Sequence, residues 1–241
     1  MRGRPALVAV LLAAAGAGCS GSSTVVVPVP TSDTVSVSFQ DGVVPAGYHG
    51  TADAIIKDGP NNALRNGNFG AAQSDTLGSV LLSTAFYERR LIIRMDLSSI
   101  KSCSKVLSAT LSLRITGTPS SPMTIEAHTV TLANYNWTEG VGGLAAGVSW
   151  TTIDGSIPWI TAGGDFESAD VSSAPFYGET TLLLALPPAL VKEWILTPAS
   201  NHGIIIKSTD VSDERYGTVL MRDDPVTAWR PRLDIRYVKG P

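Results

Sequence analysis

The sequence predicts an all-β protein, and three observations lead to this fold class. Only 16% of the 241 residues are charged, and the chain contains 23 Gly and 15 Pro, a composition that disfavours long surface helices. From about Val35 onward, apolar residues recur with a period of two, as in half-buried strands. Clusters of Gly, Pro, Asn and Asp separate these short runs, which is typical of a sandwich or a barrel.

The alternation is clearest in two segments, Arg89–Leu97 and Val106–Thr116. In the first, Leu91, Ile93 and Met95 point to one face, because successive side chains of a strand point to opposite faces. Further strands are predicted over Ala52–Lys57, Ser79–Leu82, Thr124–Thr131, Thr180–Leu186, Ile204–Lys207, Tyr216–Met221 and Arg232–Val238.

One short helix is predicted after Pro187-Pro188, where the sequence reads ALVKEWIL. Leu190 or Val191 shares a face with Trp194 and Ile195, and proline is well tolerated in the first helical turn because its missing N–H has no partner there.

The amino terminus has the features of an export signal. Arg2 and Arg4 precede an apolar run over residues 6–15, which is shorter than the roughly 20 residues that span a bilayer. The small residues 16–18 then lead to Cys19, and this junction resembles the lipobox of bacterial lipoproteins, in which the cysteine is lipidated. We therefore predict a lipoprotein signal over residues 1–19, an acylated Cys19 and attachment to the cell envelope. Ordinary cleavage near residue 15 or 17, with release of an exported protein, is the alternative.

Beyond the signal, residues 20–45 are predicted to be a flexible tether and residues 46–241 a single β-sandwich domain. The stretch SGSSTVVVPVPTSDT after Cys19 has almost no charge, which favours an extended, solvated segment. The two cysteines of the chain exclude a disulfide-rich scaffold.

The charge pattern argues against a nucleic-acid partner. The formal net charge is −3, and loss of Arg2 and Arg4 from the 18 basic residues leaves 16 against 21 acidic residues, a net charge of −5. A nucleic-acid binder needs a basic surface to neutralise phosphates. Residues 115–191 contain no Lys or Arg, so the basic residues are concentrated on either side of an acidic middle.

Within the acidic middle, Asp165, Glu167 and Asp170 lie in one predicted loop, GGDFESAD. Calcium prefers several oxygen ligands, so these three residues are candidate ligands for a structural calcium ion. The alternative, which we favour, is a tight turn with solvated carboxylates, because the dense DxDxDG spacing of calcium loops is absent.

The basic residues suggest a ligand-binding face. Arg90 and Arg94 share a face of one predicted strand, and Arg232 and Arg236 share a face of the last. If these strands pair, their guanidiniums form a ladder that can hold carboxylates or sulfates by bidentate hydrogen bonds, with Lys207 and Arg215 as further candidates. The alternative is that Asp96 and Asp234, on the same faces, neutralise the arginines.

Residues for catalysis are harder to find. The three histidines are far apart in sequence, and no nucleophile elbow, phosphate-binding loop or HExxH motif is present. Glu126, Glu139, Asp165 and Glu167 could serve as a glycosidase pair, but their spacing does not place two of them across a cleft. We assign no catalytic residue and predict that the protein is not an enzyme. The five tryptophans could stack on sugar rings, although core positions are the more common use of tryptophan near strands.

Several stretches together resemble the DNRLRE-type domain family. They are, in order, GTADAII (50–56), GNFG (67–70), RRLIIRMDLSSI (89–100), NWTEG (136–140), VSW (148–150), AGGDFE (162–167), EWILTPASNHGIIIKS (193–208) and RPRLDIRY (230–237). The resemblance covers roughly residues 45–238. It implies an extracellular jelly-roll β-sandwich, of a kind described in some members as a carbohydrate-binding module for acidic polysaccharides such as alginate.

These observations predict a cell-surface lipoprotein whose sandwich binds acidic extracellular polysaccharide without catalysis and whose lipid anchor binds the membrane. One alternative is a structural protein–protein interaction module of an envelope assembly. Another is a polysaccharide lyase or hydrolase, which requires converging carboxylates, Tyr or His in a cleft.

Overall fold

The structure is a computed structural model that describes residues 34–131, 136–144 and 146–240. The predicted signal peptide and Cys19 lie outside the described residues. The strands are β1 (Thr34–Gln40), β2 (Thr51–Lys57), β3 (Gly67–Asn68), β4 (Ser74–Leu82), β5 (Ala85–Met95), β6 (Lys105–Thr116), β7 (Met123–Thr129), β8 (Gly143–Leu144), β9 (Ser172–Phe176), β10 (Thr180–Leu186), β11 (Ile204–Ser208), β12 (Arg215–Leu220) and β13 (Arg232–Val238); the helices are α1 (Asn62–Arg65) and α2 (Pro188–Leu196).

The fold is an antiparallel β-sandwich, which confirms the predicted all-β class. In one layer β5 lies between β2 and β11, and β7 joins β11 to β9. In the other layer β13 lies between β1 and β6, and β10 occupies the opposite edge of β6. β12 pairs with both β4 and the end of β6, so hydrogen bonding continues from one layer to the other.

The main core lies between the layers and follows the period-two pattern. Leu91, Ile93 and Met95 of β5 are buried in it, as the alternation predicts. They share this cluster with Leu113 and Ile115 of β6. The short helix α2 is also confirmed: Val191, Trp194 and Ile195 are its buried residues.

A second core covers the outer face of the layer that contains β5. Ile92 is fully buried there, although its strand neighbours Leu91 and Ile93 face the main core. It packs with Trp137 and Trp150 from the long connection between β7 and β9. This connection therefore covers an apolar sheet face that would otherwise be exposed to water.

The amino-terminal boundary of the domain differs from the prediction. Residues 34–40, assigned above to the tether of residues 20–45, form β1 and pair with β13 over the whole length of both strands. Phe39 of this strand is fully buried. The sandwich therefore includes residues from Thr34 onward, because hydrogen bonds and burial fix this segment as an edge strand.

Among the described helices, none has the length and apolar character needed to cross a bilayer.

Candidate functional site

The predicted ladder of four arginines is not formed. β5 pairs with β2, β4 and β11, whereas β13 pairs with β1 and β6. Arg90 and Arg94 therefore lie on one outer face of the sandwich and Arg232 and Arg236 on the other. The error arises because strand periodicity fixes the face of a side chain within its own strand but not the strand that pairs with it.

Arg90 is used inside the fold. Its guanidinium pairs with Glu88, donates to the carbonyl oxygen of Gly163 (2.6 Å) and lies over the rings of Trp150 (4.7 Å) and Phe166 (5.2 Å). The side chain is only 13% exposed. Arg90 thus fastens the covering connection to β5 and does not present its charge to a ligand.

Arg94 has a similar position on the same face. Its guanidinium carbon lies 5.2 Å from the ring centre of Trp137, and burial lowers the pKa of its guanidinium from the ordinary value, against the opposing effect of Glu139 and Asp96. It lines a cavity of about 240 Å³ that it shares with Asp96, Asn136 and Asn201.

The two additional basic candidates are held by carboxylates. The Nζ atom of Lys207 lies 3.9 Å from Oε1 of Glu88 and donates to the carbonyl oxygen of Ser208. Arg215 has Nη1 3.3 Å from Asp210 and Nε 2.6 Å from Asp213. Neither residue is among those that line the groove described next.

The outer face of the other layer is open and polar. Register places the side chains of Arg232, Asp234 and Arg236 beside serine and threonine side chains of β1 and β6, while Leu233 and Ile235 point into the core. We call this surface the polar face. Its cross-strand partners on β1 and β6 are Ser36, Ser38, Gln40, Ser108, Thr110 and Ser112.

One end of the polar face forms an open cavity of about 480 Å³, which we call the Trp229 groove. Its lining residues are Gln40, Ser112, Arg114, Thr181, Ala228, Trp229, Arg230, Arg232 and Asp234. Trp229 is 47% exposed, whereas the other four tryptophans are at most 6% exposed. A large aromatic ring therefore lies in a polar groove, and core packing does not account for the tryptophan at this position.

Hydrogen bonds hold the turn that carries Trp229. The Nε2 atom of buried Gln40 donates to the carbonyl oxygens of Ala228 (3.5 Å) and Arg230 (2.9 Å). Arg230 in turn donates from Nε to the carbonyl oxygen of Asp224 (2.9 Å) and from Nη1 to that of Asp41 (3.1 Å). The 3₁₀ turn Thr227–Trp229 is thereby fixed against β1, so the indole has a defined place at the groove.

The Trp229 groove has a local excess of positive charge. Three guanidiniums line it, and of the described lining residues only Asp234 carries a carboxylate. Arg232 Nε donates to both oxygens of Asp234 (2.9 and 3.0 Å), and Arg114 pairs with Glu179, whose side chain is 58% exposed. Arg232 is thus paired with Asp234, as the alternative predicts, whereas Asp96 accepts from Ser98 and the guanidinium of Arg230 bonds to main-chain carbonyls.

The acidic candidates lie elsewhere. Asp165 accepts hydrogen bonds from the backbone N–H groups of Ile160 (2.8 Å) and Thr161 (2.7 Å), as in a tight turn, and Glu167 and Asp170 do not join it. Among described residues, no group of three or more His, Cys, Asp and Glu side chains could hold a metal ion. The calcium hypothesis thus finds no ligand set in this part of the chain.

The carboxylates considered for catalysis do not line the Trp229 groove. Glu126 lies 3.3 Å from Nε2 of buried His128, and Glu139 contacts Arg222 on the opposite side of the sandwich. No carboxylate pair faces the groove from the described chain, because Asp234 is the single carboxylate there and is bonded to Arg232.

The sequence prediction missed Gln40, Arg114 and Arg230 as members of this site. Arg114 carried a usable signal, since period two places it on the same face as Ser112. Trp229 was considered with the other tryptophans, but it lies in a turn before β13, where strand periodicity gives no information about exposure.

Comparisons with family models and with curated proteins do not identify a relative of this chain. No family model matches the chain, and no curated protein matches it.

Proposed function

We propose that this protein binds acidic extracellular polysaccharide at the Trp229 groove, as a non-catalytic protein anchored to the cell surface by a lipid at Cys19. The observation that carries the proposal is the exposed indole of Trp229 beside Arg114 and Arg232 on an open polar face. The resemblance to DNRLRE-type domains supports the same ligand class. The anchor and the export rest on the sequence of residues 1–19.

The chemistry of the groove suits a sugar that carries a carboxylate. An aromatic ring gives a flat apolar surface with low conformational entropy, on which the C–H face of a pyranose ring can stack. Guanidiniums bind carboxylates by paired N–H···O hydrogen bonds. Ser112 and Thr181 add hydroxyl groups that exchange hydrogen bonds with sugar hydroxyls.

The absence of catalysis in this proposal is supported by the contacts of Asp234. General acid–base cleavage of a glycosidic bond ordinarily uses two carboxyl groups on either side of the scissile bond. Of the described lining residues only Asp234 could contribute one, and Arg232 and the Ser38 hydroxyl already bind it.

Affinity electrophoresis tests the proposal with the detergent-solubilised full chain in gels that contain alginate, polygalacturonate or neutral dextran. We expect the acidic polymers to retard the protein at low salt and dextran to retard it less. Trp229→Ala should weaken the affinity about tenfold, as loss of a central aromatic contact does elsewhere. Arg232→Gln should weaken it and also reduce its dependence on salt, because one screened charge is lost.

Two variants serve as matched controls. Phe86→Ala removes an aromatic ring that is 40% exposed on β5, outside the groove. Arg236→Gln removes a guanidinium from the same strand and face as Arg232, about 13 Å away along β13. If the wild-type protein ignores every acidic polymer at low salt, or if Trp229→Ala behaves like Phe86→Ala, the proposal is wrong.

A second candidate function, protein docking in an envelope assembly, has one supporting observation. Val141 and Leu144, which lie just before and in β8, are 83% and 67% exposed, and Ile160 is 94% exposed. These apolar side chains lie apart from the Trp229 groove. A double substitution Val141→Ser and Leu144→Ser that abolishes co-sedimentation with envelope proteins, while Trp229→Ala does not, would favour docking over polysaccharide binding.

A further inference from the structure

A second open cavity, of about 430 Å³, lies at the distal end of β6. Its lining residues are Thr116, Gly117, Thr118, Pro119, Ser120, Glu214, Tyr216, Gly217 and Thr218. Tyr216 is 41% exposed there. We call this cavity the Tyr216 groove.

The Tyr216 groove and the Trp229 groove lie on the same sheet face. Arg114 and Thr116 are two residues apart on β6, so their side chains point the same way and are about 7 Å apart along the strand. Thr218 of β12 pairs directly with Thr116, and Tyr216 precedes Thr218 by two residues. The side chains of Thr116, Tyr216 and Thr218 therefore project from the same sheet face as the side chain of Arg114.

The opposite faces of these strands are filled. Leu113 and Ile115 point into the main core, and a Cβ atom added to Gly217 would lie 2.6 Å from Ile115 and 2.7 Å from Phe176. Gly217 therefore faces the filled core, and its neighbour Tyr216, on the opposite face of the strand, stands on the surface.

The two grooves differ in charge. Three arginines line the Trp229 groove, whereas the described residues that line the Tyr216 groove include no Lys or Arg and carry one carboxylate, on Glu214. Its remaining side chains are mainly hydroxyls, from Thr116, Thr118, Ser120 and Thr218. Such a surface can stack and hydrogen-bond a sugar but has no cation for a carboxylate.

We propose that the two grooves form one continuous binding site across β6, with Tyr216 as a second stacking platform, and that the ligand is an internal stretch of a polysaccharide chain. This inference rests on the proposed function. From Ser112, which lines the Trp229 groove, to Thr116, which lines the Tyr216 groove, β6 extends about 13 Å, which is more than a single pyranose ring would use. The uronate carboxylate binds at the Trp229 end, and the sugar at the Tyr216 end is held by stacking and hydroxyl contacts.

A length series of galacturonate oligomers, from one to eight units, tests the continuous site by calorimetry with the detergent-solubilised full chain. We expect affinity to rise with length until both grooves are filled and then to level off. Tyr216→Ala should lower the affinity for the longest oligomers about tenfold, as loss of an aromatic contact does elsewhere, and leave the shortest ones that bind unchanged. Trp229→Ala should weaken every length.

Further variants separate ligand contact from folding. Tyr216→Phe keeps the ring and should keep most of the affinity, and Phe86→Ala again controls for loss of an exposed aromatic residue. Because no cation is removed, Tyr216→Ala should leave the salt dependence of binding unchanged. If affinity levels off at one or two units, or if Tyr216→Ala has the same effect at every length, the continuous site is wrong.

The result also distinguishes this inference from the proposed function. Binding of polygalacturonate that depends on Trp229 but not on Tyr216 would overturn the continuous site and leave the proposed function standing. A wild-type protein that binds neither polymer nor oligomer would overturn both.

Discussion

Arg90 fastens the long connection between β7 and β9 to the sheet beneath it. Its guanidinium is enclosed by Glu88, the ring of Trp150 and the carbonyl oxygen of Gly163. Gly163 has φ +96°, and a Cβ atom there would lie 2.8 Å from Nη1 of Arg90. The charge is thus used in packing, which distinguishes Arg90 from the exposed arginines of β13.

We predict that Arg90→Met lowers the free energy of unfolding without changing polysaccharide affinity. The substitution leaves the buried carboxylate of Glu88 without its guanidinium, and removal of one partner of a buried ion pair typically costs about 3–5 kcal/mol. Lys207, 3.9 Å from Glu88, offsets part of this loss, so we expect about 2–3 kcal/mol in urea denaturation.

Arg236→Met is the matched control, because Arg236 is exposed on β13. An exposed substitution of this kind usually changes stability by less than about 0.5 kcal/mol. If Arg90→Met leaves the urea midpoint unchanged but abolishes binding, Arg90 is a ligand contact and its structural role is wrong.

The fate of each tryptophan depends on contacts that the local sequence does not contain. Trp137 and Trp150 are buried because the connection that carries them folds over Ile92 and Ile205, which are distant in sequence. Trp229 remains exposed because Gln40, nearly 190 residues earlier, holds its turn at the sheet edge. Residue type alone indicates only that a tryptophan can either pack in a core or lie exposed at a binding surface.

At the scale of elements, an ionic tie joins β2, the connection after β7 and the turn that follows β12. Oε1 of Glu139 accepts from the backbone N–H of Asp53 (2.9 Å) and lies 2.8 Å from Nε of Arg222. Oδ2 of Asp53 accepts from the backbone N–H of Arg222 (2.8 Å), and Asp53 is fully buried. Two carboxyl groups therefore lie against Arg222 in a poorly solvated place, Glu139 at its guanidinium and Asp53 at its backbone N–H.

This tie makes stability depend on pH. Burial raises the pKa of Glu139 from its ordinary 4.5 to about 7, and burial also raises the pKa of Asp53 above its ordinary value. A carboxyl group with a raised pKa binds its proton more tightly in the folded state, so folding is favoured below the unfolded pKa and loses stability as pH rises through the folded pKa. We expect the urea midpoint to decrease as the pH is raised from about 4.5 to 7.

Glu139→Gln tests the assignment, because the amide keeps an acceptor for the Asp53 N–H but does not titrate. The variant should have a flatter profile over the same range. Asp154 makes stability depend on pH in the opposite direction. Backbone N–H groups of Ile157 and Ser156 lower its pKa, so its contribution to the free energy of unfolding is lost as the pH falls through that lowered pKa. A wild-type midpoint that is constant or rises from pH 5 to 8 would contradict the prediction.

Strand positions were largely predictable, whereas strand partners were not. β10 and β13 were predicted with the same bounds as in the structure, because β13 alternates apolar and polar residues and β10 is a short apolar run between Gly178 and Pro187. β9 was missed: it has the sequence SSAPF, and its proline suits an edge strand but disguises the alternation. Pairing of β6 with β13 joins residues more than 100 positions apart, and no local pattern encodes that choice.

At the scale of the whole molecule, the two ends of the β1–β13–β6 layer have different roles. Thr34, Val238 and Lys105 are aligned at one end by register. Gln40, Arg232 and Ser112 are aligned at the other, about 20 Å away, where the Trp229 groove lies. Thr34, the first described residue, therefore lies at the end of β1 opposite the groove.

The proposed lipid site allows anchoring and binding to be tested separately with one substitution. We predict that Cys19→Ala moves the protein from the membrane fraction to the soluble fraction, because the proposed lipid can no longer be attached at residue 19. More than one acyl chain is needed for stable anchoring, which is what a bacterial lipoprotein signal implies. Cell fractionation and the mass of the amino-terminal peptide are the measurements.

Phe86→Ala is the control, since it alters an exposed side chain of β5 and leaves the predicted lipid site intact. It should remain with the membrane. The released Cys19→Ala protein should bind polygalacturonate with the affinity of the wild type, because the Trp229 groove is built from residues 40–234 and none of them is altered. An unchanged membrane fraction for Cys19→Ala would refute the anchor, and a soluble Cys19→Ala protein that no longer binds would show that the site extends to residues before β1.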